Sequence, residues 1–278
     1  MKLTIAMATH NDYDGVYFTL QSIRLYQHLV DVEFIVLDNN PTSLHGEKLR
    51  KLCGDIPGCK LVPVTDRMSS FVKYDAFQHA TGDVVLIMDC HVLLVPEFVS
   101  AMMRWWAAHP DSRDMLTGPV VYNNLTSCST HMNPEWRGHD FGTWGDDKEA
   151  LQKGVPFEVP MQGMGCFSVR REAWQGINPH FRGFGAEEWY CAEKIRQWGG
   201  KVMCHPAMRW VHRFGWPVRT FPLSMEIKIV NYYRGWLELY GSRDHPQIQA
   251  MTAHWLTQVK PDKLERLIQK AQEIPTSN

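Results

Sequence analysis

Two side chains that commonly ligate metals follow a short apolar run. Residues 84–88 are all apolar, Asp89 ends the run, and His91 stands two positions later. Such a run is typical of a buried β-strand, and ligands of open α/β sheets bind beyond the carboxyl ends of the strands. A carboxylate and an imidazole there could be a simple capping pair. As metal ligands they favour Mn²⁺ or a later transition metal over Mg²⁺.

Three further side chains could act beside this pair. His212 follows the last predicted strand and is a candidate third ligand, although its spacing fits a surface or core histidine equally well. Glu187 and Glu188 open a predicted helix, where the helix dipole alone favours acidic residues. Adjacent helical residues point about 100° apart. We therefore expect at most one of these carboxylates to face a cleft, where it could orient a hydroxyl or accept its proton.

Other polar residues and glycines stand at strand ends. Asp12 and Asp38 each follow a predicted strand, where acids hold ribose or base edges or simply form turns. Lys73 could meet a phosphate or belong to a solvated helix face. Gly163 and Gly165 lead a predicted strand over residues 162–169, which would let the backbone approach a ligand closely.

The elements that would position these residues alternate regularly through the first 95 residues. This alternation predicts parallel strands joined by right-handed helical crossovers. The predicted strands cover residues 3–8, 32–37, 59–64 and 83–89, and the predicted helices cover residues 15–29, 43–53 and 70–80.

The remaining chain has a less regular pattern. A helix is predicted over residues 96–108, a single strand over 115–122, a long loop over 123–160, a helix over 186–198 and a strand over 201–204. A loop of that length in a compact domain is usually functional. From residue 223 the pattern is helical, so the change in composition near 215–222 predicts a sub-domain boundary.

Composition restricts the class of protein. The chain has 278 residues and a net charge of −1, so no global basic field would attract nucleic acid or membranes. No apolar run reaches the roughly 18 residues that a spanning helix needs, so no transmembrane segment is predicted. The seven cysteines show no CxxC spacing, and the first residues do not resemble an export signal. Together these features predict reduced thiols and a cytoplasmic location, bacterial or in a host cell if the protein is viral.

Four ordered motifs, read together, resemble a known family. Segments 9–12, 36–40, 80–91 and 183–188 read THND, VLDNN, ATGDVVLIMDCH and GFGAEE. They are similar to the motifs of GT-A glycosyltransferases of the family-2 type over about residues 1–215. That family usually carries Asp-x-Asp where this chain has Asp89-Cys90-His91. The Asp-x-His variant, with a later histidine in the segment WVHR at 210–213, is similar to the polypeptide N-acetylgalactosaminyltransferases.

The resemblance implies a fold, a donor and a set of site residues. We expect a GT-A α/β fold, with a Rossmann-like, mostly parallel sheet flanked by helices, as a catalytic domain over 1–215, and a C-terminal helical extension over 216–278. The implied cofactor is Mn²⁺ or Mg²⁺, and the implied substrate is a UDP-sugar donating a hexose or N-acetylhexosamine. The implied metal ligands are Asp89, His91 and His212. The donor-binding residues are predicted to be Thr9, Asn11, Asp12, Asp38, Lys73, Asp89, Gly163 and Gly165.

The likeness to the polypeptide transferases implies a retaining reaction, in which a phosphate oxygen accepts the proton from the acceptor. An inverting reaction would instead need a general base, for which Glu187 and Glu188 are the candidates. Two other functional classes compete with a transferase. A nucleotidyltransferase would normally carry a Gly-rich basic loop after the first strand, which residues 9–14 lack, and a non-catalytic sugar-binding module would need no metal ligands.

The identity of the acceptor is open to two interpretations. The sequence indicates no oligomeric state. The segment from residue 180 to residue 234 contains nine Lys and Arg residues but only four Glu residues. Aromatic side chains are interspersed among them. This composition could bind DNA that carries hydroxymethylated pyrimidines, as in DNA-modifying glucosyltransferases of bacterial viruses. It also suits a solvated helical face, in which case the acceptor would be a glycan.

Overall fold

Strands and helices alternate through the first 89 residues, as predicted. The computed structural model describes residues 1–214 and 224–273. Its first elements are β1 (Leu3–Thr9), α1 (Tyr13–Tyr26), β2 (Val32–Asp38), α2 (Leu44–Asp55), β3 (Cys59–Pro63), a 3₁₀ helix (Ser70–Asp75), the one-turn helix α3 (Ala76–His79) and β4 (Val84–Asp89). The predicted helix over 70–80 is therefore divided between a 3₁₀ helix and one α-helical turn.

The second half of the chain is more varied. Its strands are β5 (Val92–Leu94), β6 (Met115–Thr117), β7 (Val120–Val121), β8 (Cys128–Ser129), β9 (His131–Arg137), β10 (Asp140–Gly145), β11 (Phe157–Glu158), β12 (Cys166–Arg170), β13 (Val202–Cys204) and β14 (Trp210–His212). Its helices are α4 (Phe98–Ala108), α5 (Lys148–Lys153), α6 (Glu187–Gln197), α7 (Met225–Tyr240), α8 (Pro246–Leu256) and α9 (Pro261–Gln272), with a 3₁₀ turn at Arg171–Ala173.

Strand β4 lies inside the main sheet because its side chains are apolar on both faces. All five residues before Asp89 are fully buried, as expected for a strand covered on both sides. The strand pairs in parallel with β1 on one side and antiparallel with β12 on the other. Asp89 therefore ends a central strand of the protein.

The main sheet has eight strands in the order β11-β13-β6-β12-β4-β1-β2-β3. Strands β3, β2, β1 and β4 are parallel, and β13 is parallel to β6, whereas β12 and β11 run antiparallel to their partners. The predicted α/β fold with a mostly parallel sheet is confirmed. The connection that follows β1 leads to β2 on one side of it, whereas β4 lies on its other side. Such a reversal of strand order leaves a crevice at the carboxyl ends of β1 and β4.

The prediction of one strand over residues 115–122 was wrong. The chain forms two short strands, β6 in the main sheet and β7 in a separate four-stranded sheet ordered β5-β14-β7-β8. Gly118 lies at the break between them, and a Cβ there would come within 1.8 Å of the Met208 carbonyl oxygen. Two backbones pass too closely at this point for any side chain, and Pro119, which follows, donates no backbone hydrogen bond.

The prediction of a long loop over residues 123–160 was also wrong. Strands β9 and β10 form an antiparallel hairpin in this segment, and α5 follows. Gly138 supplies the positive φ of 60° at the turn. Trp136 and Phe141 of the hairpin pack against aromatic side chains of α7 and α8. These tertiary contacts, rather than a strong local pattern, order the hairpin.

The C-terminal helices pack against the rest of the chain. Helix α7 contacts α6, α8 and α9, and α9 presents an apolar stripe that buries Leu264, Leu267 and Ile268. The predicted boundary near 215–222 lies outside the described residues. Within the described ranges, no helix is both long and apolar enough to cross a membrane.

Candidate active site

A cavity of about 960 Å³ lies beyond the carboxyl ends of β1 and β4. Ten of the predicted site residues line it: Thr9, Asp12, Lys73, Asp89, His91, Gly163, Gly165, Glu187, Glu188 and His212. They come from segments up to 200 positions apart in the chain. Asn11 and Asp38, which were also predicted, are not among the described residues that line the cavity.

Asp89, His91 and His212 form a compact group of possible ligands. One side-chain donor atom from each lies within 4.8 Å of the others. The Nε2 atom of His212 is 3.4 Å from Oδ2 of Asp89, and the two imidazole rings meet edge-on with centroids 4.9 Å apart. Strand pairing explains this proximity, because β14 pairs with β5 so that His212 lies opposite Val92. One carboxylate oxygen and two imidazole nitrogens fit Mn²⁺ well.

Asp12 supports the ligand group from the N-terminus of α1. Its Oδ1 accepts a hydrogen bond from the Gly15 backbone N–H at 2.9 Å and so caps the helix. Its Oδ2 lies 3.3 Å from Nδ1 of His91 and 2.8 Å from Nη2 of Arg213. Burial lowers the pKa of His91, but the hydrogen bond with Asp12 and the contact with Cys90 together raise it to about 10. A carboxylate behind a ligating imidazole typically orients the ring and raises its basicity.

Lys73 is a buried cation beside Asp89. Its Nζ lies 3.3 Å from Oδ1 of Asp89 and donates a hydrogen bond to the Met164 carbonyl at 2.8 Å. Burial alone would lower the pKa of Lys73, but Asp89, Glu187 and Glu188 raise it above its ordinary value. Burial likewise opposes ionisation of Asp89, yet Lys73 and His212 hold the pKa of that carboxyl well below its usual range. Both groups are therefore charged at neutral pH.

Glu187 and Glu188 begin α6 at the other side of the cavity. Glu187 is 2% exposed, and its Oε2 has no hydrogen-bond partner among the described residues. Burial raises the pKa of Glu187. Burial, followed by the negative charge of Glu187, raises the pKa of Glu188 to about 8. Glu188 is thus a carboxylic acid that holds or accepts a proton near neutral pH, which suits acid–base chemistry.

The glycines before β12 let two neighbouring groups approach the backbone closely. A Cβ on Gly165 would come within 3.1 Å of Oδ2 of Asp89, and a Cβ on Gly163 would come within 2.6 Å of the Trp144 ring. The Asp89 backbone N–H also donates to the Gly165 carbonyl at 2.8 Å. Side chains at these two positions would displace either Asp89 or the aromatic wall of the cavity.

The predicted residues around β1 and β2 differ in their exposure to the cavity. Thr9 lines it, and its hydroxyl is buried without a hydrogen-bond partner in the described chain. Asn11 accepts a hydrogen bond from the Asn40 side chain at 3.1 Å. Asp38 is 1% exposed and accepts a hydrogen bond from the Asn40 backbone N–H, while burial raises its pKa. Asn39, which was not predicted as a site residue, lines the cavity next to Asp38.

A model of the family described as Glycosyl transferase family 2 matches residues 4–177, which include Asp89, His91, Gly163 and Gly165. The chain belongs to glycosyl transferase family 2. Membership of this family favours sugar transfer over the competing classes of nucleotidyltransferase and non-catalytic sugar-binding module. A search of curated proteins finds no match to the chain.

Solved structures similar to this glycosyltransferase have related folds and low sequence identity. GalNAc-T7 with UDP, GalNAc and Mn²⁺ has a TM-score of 0.72 and 14% identity over 98% of this chain. The chain spans 54% of that protein's length. The mannosyltransferase PcManGT from Pyrobaculum calidifontis, in complex with GDP-Man and Mn²⁺, has a TM-score of 0.57 and 17% identity over 97% of this chain and 73% of its own.

A third similar structure is S. aureus TarS 1-349 in complex with UDP-GlcNAc. It has a TM-score of 0.62 and 14% identity over 98% of this glycosyltransferase and 79% of its own chain. At these identities the likeness concerns the fold, and the predicted GT-A fold is confirmed.

The residues that form one wall of the cavity were not predicted from the sequence. Asp140 and Trp144 come from the β9–β10 hairpin, and Lys228 and Tyr232 come from α7. Lys228 forms an ion pair with Asp140 at 2.5 Å, which joins the hairpin to the helix. The hairpin could have been inferred from Gly138 between two short runs that contain Trp136 and Phe141. No local pattern indicates that α7 reaches the cavity.

In the described residues, part of the predicted basic and aromatic surface is buried or ion-paired. Four of its aromatic residues are at most 2% exposed: Trp210, Tyr232, Tyr233 and Trp236. Five of its nine basic residues form ion pairs with carboxylates: Lys194, Arg196, Lys201, Arg213 and Lys228. Phe214 is exposed, and Trp216, Arg219 and Phe221 lie outside the described residues. The aromatic rings in the described part of this segment are mostly core.

Proposed function

We propose that this glycosyltransferase binds a divalent cation through Asp89, His91 and His212 and moves a hexose or N-acetylhexosamine from a UDP-sugar to an acceptor hydroxyl. The observation that carries this proposal is that the three ligand atoms lie within 4.8 Å of one another, in a cavity that Glu187 and Glu188 also line. Two of the similar proteins were solved with Mn²⁺, and two with UDP or a UDP-sugar.

The donor set fits the proposed cation. Mn²⁺ accepts carboxylate and imidazole ligands together, and three protein ligands would leave positions for phosphate oxygens. A bound Mn²⁺ or Mg²⁺ would act as a Lewis acid and stabilise the negative charge that develops on the departing nucleotide diphosphate. Asp12 would keep the His91 ring in one orientation through its contact at Nδ1. Lys73 would keep Asp89 ionised and in place.

We infer that the donor sugar lies beside Gly163 and Gly165, whose backbone lines the cavity next to Asp89 and Trp144. Thr9, Asp12 and Lys73 line the same cavity and would contact the nucleotide. Asn11 and Asp38 would act behind them, by shaping the turns after β1 and β2. The acceptor would enter along the wall of the cavity that the hairpin and α7 form together.

The stereochemical outcome depends on what accepts the proton of the acceptor hydroxyl. The Asp-x-His likeness supports retention, with a phosphate oxygen of the donor as the acceptor of the proton. The pKa of about 8 at Glu188 favours the second candidate, an inverting reaction in which this carboxylate is the base. Proton NMR of the fresh product gives the anomeric configuration. An inverted product would refute retention.

Release of UDP tests the donor and the metal together. Purified protein would be incubated with UDP-glucose, UDP-N-acetylglucosamine or UDP-N-acetylgalactosamine, with Mn²⁺, Mg²⁺ or EDTA. We expect UDP release from at least one donor, dependent on the cation. An absence of UDP release from every donor, together with an absence of Mn²⁺-dependent UDP binding, would refute the proposal.

The acceptor needs a separate experiment. Candidate acceptors are simple glycans and duplex DNA with or without hydroxymethylated pyrimidines, and mass spectrometry of glycans or nucleosides would detect the added sugar. The DNA alternative predicts a mass increase of one sugar in hydroxymethylated DNA and no change in plain DNA. Transfer to glycans alone would exclude it.

A further inference from the structure

One face of helix α7 packs tightly against the segment that leads into Glu187 and Glu188. Ile227, Asn231 and Gly235 are spaced four residues apart and so share this face. A Cβ on Gly183 would come within 3.2 Å of Cγ2 of Ile227. A Cβ on Gly235 would come within 2.8 Å of Cζ of Phe181. The helix and the segment 181–186 therefore fit against each other closely.

Asn231 provides the polar contacts in this interface. Its side chain is fully buried. Its Oδ1 accepts a hydrogen bond from the Arg182 backbone N–H at 3.1 Å. Its Nδ2 donates to the Arg182 carbonyl at 2.7 Å and to the Gly185 carbonyl at 3.3 Å. One side-chain amide thus bonds to both ends of a four-residue turn, whose carbonyls would otherwise be buried beside an apolar helix face.

The backbone is left-handed at three positions in and directly after this turn, and one of them carries a side chain. Gly183 and Gly185 have φ values of 62° and 94°, and Ala186, which has a side chain, has a φ of 88°. A left-handed conformation costs a non-glycine residue about 1–2 kcal/mol, so contacts from outside must hold it. Ser70 supplies one such contact, because its backbone N–H donates to the Gly183 carbonyl at 2.8 Å. Asn231 supplies three more hydrogen bonds to the same segment.

We propose that Asn231 is a positioning residue, which holds the strained turn so that Glu187 and Glu188 point into the cavity. The inference rests on the proposed function, because it gives these glutamates a role in sugar transfer. Ala186 is the strained residue of this segment and Glu187 follows it directly, so any relaxation there rotates the start of α6. A helix beyond the family match thereby controls the acidic side of the site.

The test replaces the amide and compares the effect with a matched loss elsewhere on α7. Asn231→Asp keeps the size and the bond from the Arg182 N–H but has no N–H for the two carbonyls. Asn231→Ser, which is neutral and smaller, is the second variant. Tyr233→Phe is the control, since it removes one buried hydrogen bond, to Thr252 at 2.7 Å, away from the turn. Thermal melts would establish that each variant is folded.

Hydrogen–deuterium exchange and turnover give separate readouts. We expect both Asn231 variants to speed exchange over residues 182–190, and Tyr233→Phe to leave it unchanged. For whichever UDP-sugar the wild type consumes, we expect the turnover number to fall at least about tenfold. Binding of UDP with Mn²⁺ should change less than about twofold, because the cation ligands lie elsewhere.

Two results would overturn the inference. One is unchanged exchange over residues 182–190 in a folded Asn231 variant. The other is an equal fall in turnover in the Asn231 and Tyr233 variants. If the wild type consumes no UDP-sugar, the proposed function fails, and the exchange measurement still decides whether Asn231 holds the turn.

Discussion

Replacement of Glu188 by glutamine should make the protein more stable at alkaline pH. Burial and the charge of Glu187 raise the pKa of Glu188 from 4.5 to about 8 in the folded chain. As pH rises above 4.5, the unfolded chain loses this proton while the folded chain keeps it. The folded state then binds more protons, so stability falls with rising pH until about pH 8 and is constant above it. Glutamine imitates the protonated acid and does not titrate.

The size of the effect follows from the pKa shift. One pKa unit corresponds to about 1.4 kcal/mol, so a shift from 4.5 to about 8 destabilises the folded state by about 5 kcal/mol at high pH. About 2 kcal/mol of this loss falls between pH 6 and pH 8. Other groups titrate in this interval too, but they are common to the wild type and the variant. The difference between the two proteins therefore reports the titration of Glu188 together with the effect of its charge on Glu187.

Urea unfolding at pH 6 and pH 8, without added metal, would measure this difference. Glu172→Gln is the matched control, because Glu172 is an exposed glutamate. We expect the wild type and Glu172→Gln to lose about 2 kcal/mol more than Glu188→Gln between the two pH values. An equal loss in all three proteins would mean that Glu188 is already ionised at pH 6. That result would refute the assignment of a raised pKa.

Three further predictions concern the other residues of the cavity. His91→Ala and His212→Ala should each abolish Mn²⁺-dependent UDP binding, measured by calorimetry, and leave the circular dichroism spectrum unchanged. His28 is exposed, so His28→Ala is the control and should bind UDP normally. Lys73→Met should lower the free energy of unfolding by about 3 kcal/mol in urea, because it leaves the Asp89 carboxylate without its buried cation. Gly163→Ala should reduce UDP release, because its Cβ would displace the Trp144 ring; an unchanged rate would show that the ring does not border the donor.

Much of the first half of the fold could be predicted from the sequence because its signals are local. Buried parallel strands such as β4 appear as continuous apolar runs, and turn residues mark their ends. The error at Gly118 has a tertiary cause, since the close approach of Met208 is what forces the chain out of the main sheet. The formation of the β9–β10 hairpin also depends on contacts with residues distant in the sequence, in α7 and α8. Such contacts leave little trace in the pattern of a single segment.

The same distinction applies to the site. Asp89 and His91 could be identified because they follow an obvious strand, and His212 only because a later strand was recognised. The pairing of β14 with β5 that brings His212 to Asp89 joins positions about 120 residues apart, and no local signal predicts its register. The position of Asp38 relative to the cavity was hidden for a related reason. It stands at a strand end, but its carboxylate is buried and bonds to the following turn instead of lining the cavity.

The division into a catalytic domain and a helical extension does not describe how the cavity is built. The family match ends at residue 177, before Glu187, Glu188 and His212. Helix α7 lies later still, yet Lys228 and Tyr232 line the cavity and Asn231 bonds to the turn before α6. Asp89 and His91 belong to the matched segment, whereas α7 contacts the turn before Glu187 and Glu188. We therefore expect changes in α7 to affect the two glutamates more than the proposed cation site. In this chain, the acceptor is therefore best sought through the hairpin and α7.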